Sequence, residues 1–152
     1  MNLVLQRVAR ASVTVDGTLV SSIEKGFLIL VGVRTGDTEA DARTLADKCA
    51  GLRIFEDASG KMNLSLADVG GSILAVSNFT LCADCTHGRR PSFSDAARPE
   101  SAKPLFDRFV SACAAHKLSV STGVFGADMK LELLNDGPVT LIMDSAEMGC
   151  KA

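Results

Sequence analysis

Tyrosine and tryptophan are absent from these 152 residues, histidine occurs only twice and proline only four times. The core must therefore be built from aliphatic side chains and seven phenylalanines. No run is long and apolar enough to suggest a transmembrane helix. The opening Met1-Asn2-Leu3-Val4-Leu5 meets Gln6 and Arg7 too soon for the apolar centre of a signal peptide. A surplus of positive charge is also missing, since the net charge is −2. Proteins that coat nucleic acid along a groove are usually basic, because phosphate neutralisation supplies most of that affinity. A nucleic-acid partner of this chain has to be gripped at a small site.

Familiar catalytic signatures are missing as well. There is no G-x-S-x-G elbow, no phosphate-cradling glycine loop and no dinucleotide fingerprint. Carboxylates fall mainly in helix caps and loops, so no acid and base pair can be argued. His116 lies near a helix end, where complementing the helix dipole explains it, and nothing couples His87 to a nucleophile. The five cysteines (49, 82, 85, 113 and 150), without an export signal, imply reduced thiols in the cytoplasm. Cys82 and Cys85 form one C-x-x-C, but a second pair at zinc-ribbon spacing is lacking, so plain apolar or loop cysteines outweigh zinc or thiol redox. No metal or cofactor is expected.

What is present reads as a single domain over residues 1–152, long enough to bury about two-thirds of its unfolded surface. Its 47% hydrophobic content on a small chain hints at surface hidden in an oligomer. Residues 2–15 alternate as a strand, Asp16-Gly17 marks a hairpin turn, and a second strand follows through Leu19 and Val20. The unbroken apolar run Phe27 to Val33 predicts a strand buried on both faces. Asp37-Thr38 caps a helix whose Ala42, Leu45, Ala46 and Cys49 face the core. Strand pattern returns at Leu52 to Phe55, Glu56 to Asn63 is a polar loop, and Ser72 to Leu81 is a strand. Residues from Cys82 to Pro99 are irregular and carry His87, Arg89, Arg90 and Arg98, ordinarily a solvated face but also a reasonable binding loop. Pro99 opens a second helix, with Ala102, Leu105, Phe106, Phe109 and Cys113 on one side. Strands at 118–124, 128–134 and 139–144 close an α/β (α+β) reading: a mixed, curled, barrel-like sheet with two packed helices.

Two short stretches stand out. In Asn135-Asp136-Gly137-Pro138-Val139-Thr140, the Gly-Pro pair between strand patterns marks an edge, a bulge or a turn. An ordinary hairpin turn is the plain reading; a cis bond would instead give a rigid pair of carbonyl acceptors. In Ser77-Asn78-Phe79-Thr80-Leu81, two hydroxyls and an amide end an apolar strand, where satisfying the strand's own backbone is the plain reading.

Taken together, these two stretches resemble the motif pair of the D-aminoacyl-tRNA deacylases of the bacterial and eukaryotic type. Gln6-Arg7-Val8 with Ala11-Ser12-Val13, Arg53-Ile54-Phe55-Glu56 with Lys61-Met62-Asn63, Arg90-Pro91-Ser92-Phe93 and Gly123 to Met129 match in the same order. The likeness runs from end to end. One departure is Asn78, where the family usually has glutamine: the side chain is one methylene shorter with the same donors and acceptors.

The resemblance implies hydrolysis of the ester joining a D-amino acid, or glycine mischarged on tRNA(Ala), to the terminal adenosine of tRNA. It implies a homodimer in which Gly137-Pro138 of one subunit offers carbonyl oxygens to the pocket of the other, rejecting an L side chain by clash. Ser77, Asn78, Phe79 and Thr80 would then line the ester pocket, Arg7 would hold the Gly137-Pro138 segment, and Met129 would meet the adenine. Arg89, Arg90 and Arg98 are candidates for phosphates of the acceptor end. Thr80 has no evident base to make it a nucleophile. The family points instead to the tRNA 2′-hydroxyl, with backbone amides near Phe79 polarising the carbonyl. The rival readings are a non-catalytic dimeric module binding a nucleotide or amine end, and a thiol redox protein using Cys82 and Cys85.

Overall fold

The computed structural model describes residues 1–148; Cys150 lies outside the described residues. The strands are β1 (Asn2–Val15), β2 (Thr18–Ile23), β3 (Gly26–Gly32), β4 (Phe55–Glu56), β5 (Met62–Leu64), β6 (Ser72–Ser77), β7 (Ser119–Thr122) and β8 (Lys130–Asp144). The helices are α1 (Glu39–Gly51) and α2 (Pro99–Ala115). The main sheet runs β2-β1-β3-β6-β7, with β8 on the other side of β1. Pairing is antiparallel around β1 and parallel from β3 to β6 to β7, so the sheet is mixed. Its two ends curl toward each other: the Ser21 hydroxyl on β2 donates to the Thr122 carbonyl on β7 at 2.8 Å. The result is a nearly closed, barrel-like sheet.

Strand periodicity explains the two cores. Leu3, Leu5, Phe27, Ile29, Ile73 and Ala75 point to one face and meet Leu45 and Cys49 of α1 and Phe106 and Phe109 of α2. The alternate residues Val8, Val13, Leu28, Leu74 and Val76 fill the inside of the curl. The run Phe27 to Val31 is thus buried on both faces, as its apolar sequence requires. Thr38 caps α1 in a capping box with Asp41, and Pro99 opens α2 where its missing N–H costs nothing. His116, at the end of α2, meets Asp47 of α1 at 2.7 Å.

Three expected elements differ. The strand expected over 72–81 ends at Ser77, because the Asn78 side chain accepts the Thr80 N–H and turns the chain into a short 3-10 helix, Phe79–Cys82. The strand expected at 52–55 shrinks to Phe55–Glu56, which among the described residues pairs only with β5. The strands expected at 128–134 and 139–144 are one strand, β8, because β1 is long enough to pair with both halves. Gln6 pairs with Thr140 and Val8 with Asn135, so Asp136 to Val139 bulge out opposite Arg7 alone. The plain reading of a hairpin turn there is replaced by this bulge.

A polar cluster ties the two strand ends to the chain following β3. The α-ammonium of Met1 meets Asp37 Oδ1 at 2.6 Å and Ser145 Oγ at 2.8 Å, and Arg34 Nη2 meets Asp144 Oδ2 at 2.5 Å. Burial alone would raise the Asp144 carboxyl, but the Ala146 amide and the Arg34 guanidinium outweigh it and hold it below the usual carboxylate range. A carboxyl depressed in the folded state adds stability that is complete above its unfolded pKa and is lost as pH falls through the folded one. Asp144→Asn is therefore expected to lower Tm by about 3 °C at pH 7. That gap should shrink progressively below about pH 4 in thermal melts of the two proteins; a gap indifferent to pH would show that the carboxylate is not what the pair contributes.

Candidate active site

A cavity of about 770 Å³ opens between the end of β6, the following 3-10 turn, the start of α2 and the segment before β8. Ser77, Asn78, Phe79, Thr80 and Met129 all line it, so five of the eight residues singled out in the sequence converge there. Gly137, Pro138 and Arg7 do not line it. The rest of the wall is mostly apolar and includes Leu30, Val76, Phe93, Phe125 and Leu131.

The turn is fixed from several sides. The Asn78 amide donates to the Val31 carbonyl at 2.8 Å, and Asn78 Oδ1 accepts the Thr80 N–H at 3.2 Å and the Thr80 hydroxyl at 2.5 Å. The shorter side chain at 78 is thus spent on capping its own turn. Among the described residues, no hydrogen bond from the Phe79 amide is found. As the first N–H of a helical turn it has no partner within the turn. Phe79 is 58% exposed, and its ring meets Phe93 edge-on at 5.2 Å. An unoccupied main-chain donor beside a hydroxyl, at the wall of an apolar cavity, is the arrangement that stabilises a developing oxyanion.

Titratable groups are scarce here. Among the described residues, Asp128 is the single ionisable side chain in the lining; it is well exposed and turned to Lys130 at 3.1 Å. Thr80 Oγ donates to an amide oxygen, which cannot act as its base, so no contact activates it as a nucleophile. Thr80→Ala is expected to keep single-turnover hydrolysis within about tenfold of the unaltered protein, whereas losing a true nucleophile costs on the order of a millionfold. Ablated turnover with retained substrate binding would restore the nucleophile reading.

Away from the cavity, the bulge 136–139 is held as firmly. Arg7 is 5% exposed; its Nε donates to the Asp136 carbonyl at 2.9 Å and its Nη1 to the Ile54 carbonyl at 2.7 Å. Asn135 closes the base of the bulge: Oδ1 accepts the Val139 N–H and Nδ2 donates to the Val139 carbonyl, each at 3.1 Å. Gly137 has φ +136°, and a Cβ there would lie 2.8 Å from Val139 Cγ2 and 3.1 Å from Arg7 Nη2. Only glycine fits. The Gly137-Pro138 bond is cis, and both residues are exposed.

Arg89, Arg90 and Arg98 are exposed and form no ion pair among the described residues, while His87 lies 2.7 Å from Thr86 of its own loop. Cys82 is buried with its thiol toward the Val33 carbonyl, and Cys85 is exposed. Sequence reasoning did not single out Phe93, Phe125 or Asp128 as site residues. They reach the cavity only through long-range closure of the fold, although Phe93 and the 123–129 segment stood among the motifs.

Residues 4–144 match the family model described as D-Tyr-tRNA(Tyr) deacylase. The chain is 62% identical over 148 residues to the D-aminoacyl-tRNA deacylase of Thermomicrobium roseum, covering 97% of this chain and 96% of that protein. It is 57% identical over 145 residues to the D-aminoacyl-tRNA deacylase of Geobacter sulfurreducens, covering 95% of each. Among solved structures it is similar to a c-Myc DNA unwinding element binding protein, with a TM-score of 0.88 at 38% identity over 95% of this chain and 98% of that one. A probable eukaryotic D-amino acid tRNA deacylase shares the fold, with a TM-score of 0.81 at 17% identity over 93% and 97% of the two chains.

Proposed function

The chain belongs to the D-Tyr-tRNA(Tyr) deacylase family, and on that premise we propose that it is a hydrolase cleaving the ester between a D-amino acid and the terminal adenosine of tRNA. The observation that carries the reading is the 770 Å³ cavity walled by the Ser77–Thr80 turn, where the Phe79 amide is free to polarise an ester carbonyl. Ser77, Asn78, Phe79 and Thr80 form the ester pocket, and Met129 is the soft apolar contact for adenine.

Chirality is read by main-chain atoms. The Gly137-Pro138 segment of a second subunit enters the cavity and offers its carbonyls to the substrate's amino end. An L side chain is driven into backbone there, while a hydrogen fits. A filter that works by clash cannot reject a missing side chain, so glycyl-tRNA is also cleaved. Support for the exchange between subunits comes from the firmly held, exposed bulge lying outside its own cavity. Support for a homodimer comes from β8, which has β1 as its only strand partner among the described residues. It also exposes Leu133, Leu134 and Ile142, the last at 82%.

With so few ionisable groups in the wall, the neighbouring 2′-hydroxyl of the terminal ribose supplies the reactive group the protein lacks. Arg89, Arg90 and Arg98 lie on the loop that also contributes Phe93 to the cavity, a suitable position for acceptor-end phosphates. A tRNA substrate and reduced thiols both suit the cytoplasm, and no helix among the described residues is long and apolar enough to cross a membrane. Incubating the purified protein with D-aminoacyl-tRNA tests the reading: free D-amino acid is expected. A module that merely binds would retain the ester intact.

A further inference from the structure

Asn2, Arg34 and Asp144 do not line the cavity, yet their polar contacts reach the 3-10 turn through Asn2. Arg34 Nη2 donates both to Asp144 Oδ2 at the end of β8 and to Asn2 Oδ1 at the start of β1. The Asn2 side chain, held by that contact, donates through Nδ2 to the Leu81 carbonyl at 3.3 Å, inside the 3-10 helix that follows Asn78. The Arg34 backbone bridges to Ala96, and the Val33 carbonyl accepts the Ala97 N–H at 2.9 Å. Ala96 and Ala97 both line the cavity, so the same short segment steadies the opposite wall.

Gly32, immediately before this segment, explains why the contact is sensitive. A Cβ at Gly32 would lie 2.9 Å from Leu81 Cβ, 3.2 Å from the Asn78 carbonyl and 3.3 Å from Cys82 Sγ. The turn is seated directly against the end of β3 with no slack, and its placement is set by what pulls on it. Backbone bonds from Asn78 fix its start; at its far end the Cys82 thiol meets the Val33 carbonyl, and Asn2 holds the Leu81 carbonyl from the neighbouring strand β1.

We propose that Asn2 and Arg34 are positioning residues for the reaction: Arg34 orients the Asn2 amide, and Asn2 sets the 3-10 turn so that the Phe79 N–H faces the cavity. Neither touches the substrate. The proposal rests on the reading of the cavity as the ester-cleaving site, and its test is built to separate the two.

Asn2→Asp keeps an acceptor for Arg34 and strengthens that pairing, but it replaces the donor to the Leu81 carbonyl by a second oxygen. The expected result is a kcat on D-aminoacyl-tRNA about tenfold lower, the scale of one hydrogen bond lost in positioning, with KM and Tm unchanged. Arg34→Lys, which retains charge but not the forked geometry, is expected to move kcat in the same direction. Independently of any substrate, the backbone amide resonance of Phe79 should shift in both variants, while those of α1 stay in place. Unchanged kcat together with an unmoved Phe79 resonance would overturn the proposal. So would a kcat loss matched by a fall in Tm with the Phe79 resonance unmoved, since that is mere destabilisation. If the unaltered protein releases no amino acid, the ester-cleaving reading fails, and the Phe79 resonance alone decides whether Asn2 sets the turn.

Discussion

A D-aminoacyl-tRNA ending in 2′-deoxyadenosine is expected to be hydrolysed about a hundredfold more slowly than its natural counterpart, the scale of one well-placed proton-transferring group. The expectation follows from what the cavity wall contains. Among the described residues, Asp128 is the single ionisable side chain in the lining and is turned to Lys130, and the Thr80 hydroxyl is engaged with the Asn78 amide oxygen. What the wall does supply is the free Phe79 N–H, a donor that stabilises charge but moves no proton. The vicinal ribose hydroxyl is the nearest group of the substrate able to take part. Binding should be little affected, so the loss belongs in kcat, and single-turnover rates at saturating enzyme measure it. Equal rates on the two tRNAs would require a reactive group from the protein, and Thr80 or Asp128 would have to be reconsidered.

The second large effect is expected at Arg7. Its guanidinium, almost fully buried, joins the Asp136 carbonyl of the bulge to the Ile54 carbonyl just before β4. Arg7→Ala leaves both acceptors without their charged donor and is expected to cost about 3 kcal/mol of stability. It also frees the segment that presents Gly137 and Pro138. Measured well below the lowered Tm, the preference for D- over L-aminoacyl-tRNA should fall by at least about tenfold, because a filter based on clash works only while its atoms are held in place. Arg7→Lys, retaining charge without the fork, should fall between the two. If Arg7→Ala were destabilised yet rejected L-aminoacyl-tRNA unchanged, the bulge would not be the filter.

Much of the architecture was legible in residue patterns. β1, α1 and α2 carry clean periods, β3 is an unbroken apolar run, and the helix starts at Thr38 and Pro99 lie where the sequence puts them. β8 was not legible as one strand because Pro138 and Gly137 interrupt its alternation. Only the length of β1, set by pairing across the sheet, shows that the interruption is a bulge within a continuous ladder. The end of β6 was hidden for the opposite reason: Phe79-Thr80-Leu81 continues a strand-like pattern, and the capping oxygen of Asn78 that breaks it is a local contact. At the site, the 77–80 stretch drew notice as hydroxyls beside an amide, but its free Phe79 donor depends on the turn. The grouping of Met129 with Phe93 and Phe125 depends on the curl of the sheet and has no local signal.

Release of free amino acid from D-, L- and glycyl-tRNA by the purified protein, measured side by side at equal tRNA concentration, is the most direct test of a cavity that cleaves the ester and excludes by shape. Rapid release from the D- and glycyl- forms with the L- form left intact is the expected result. Release from the L- form at a comparable rate, or none from any of the three, would contradict the account.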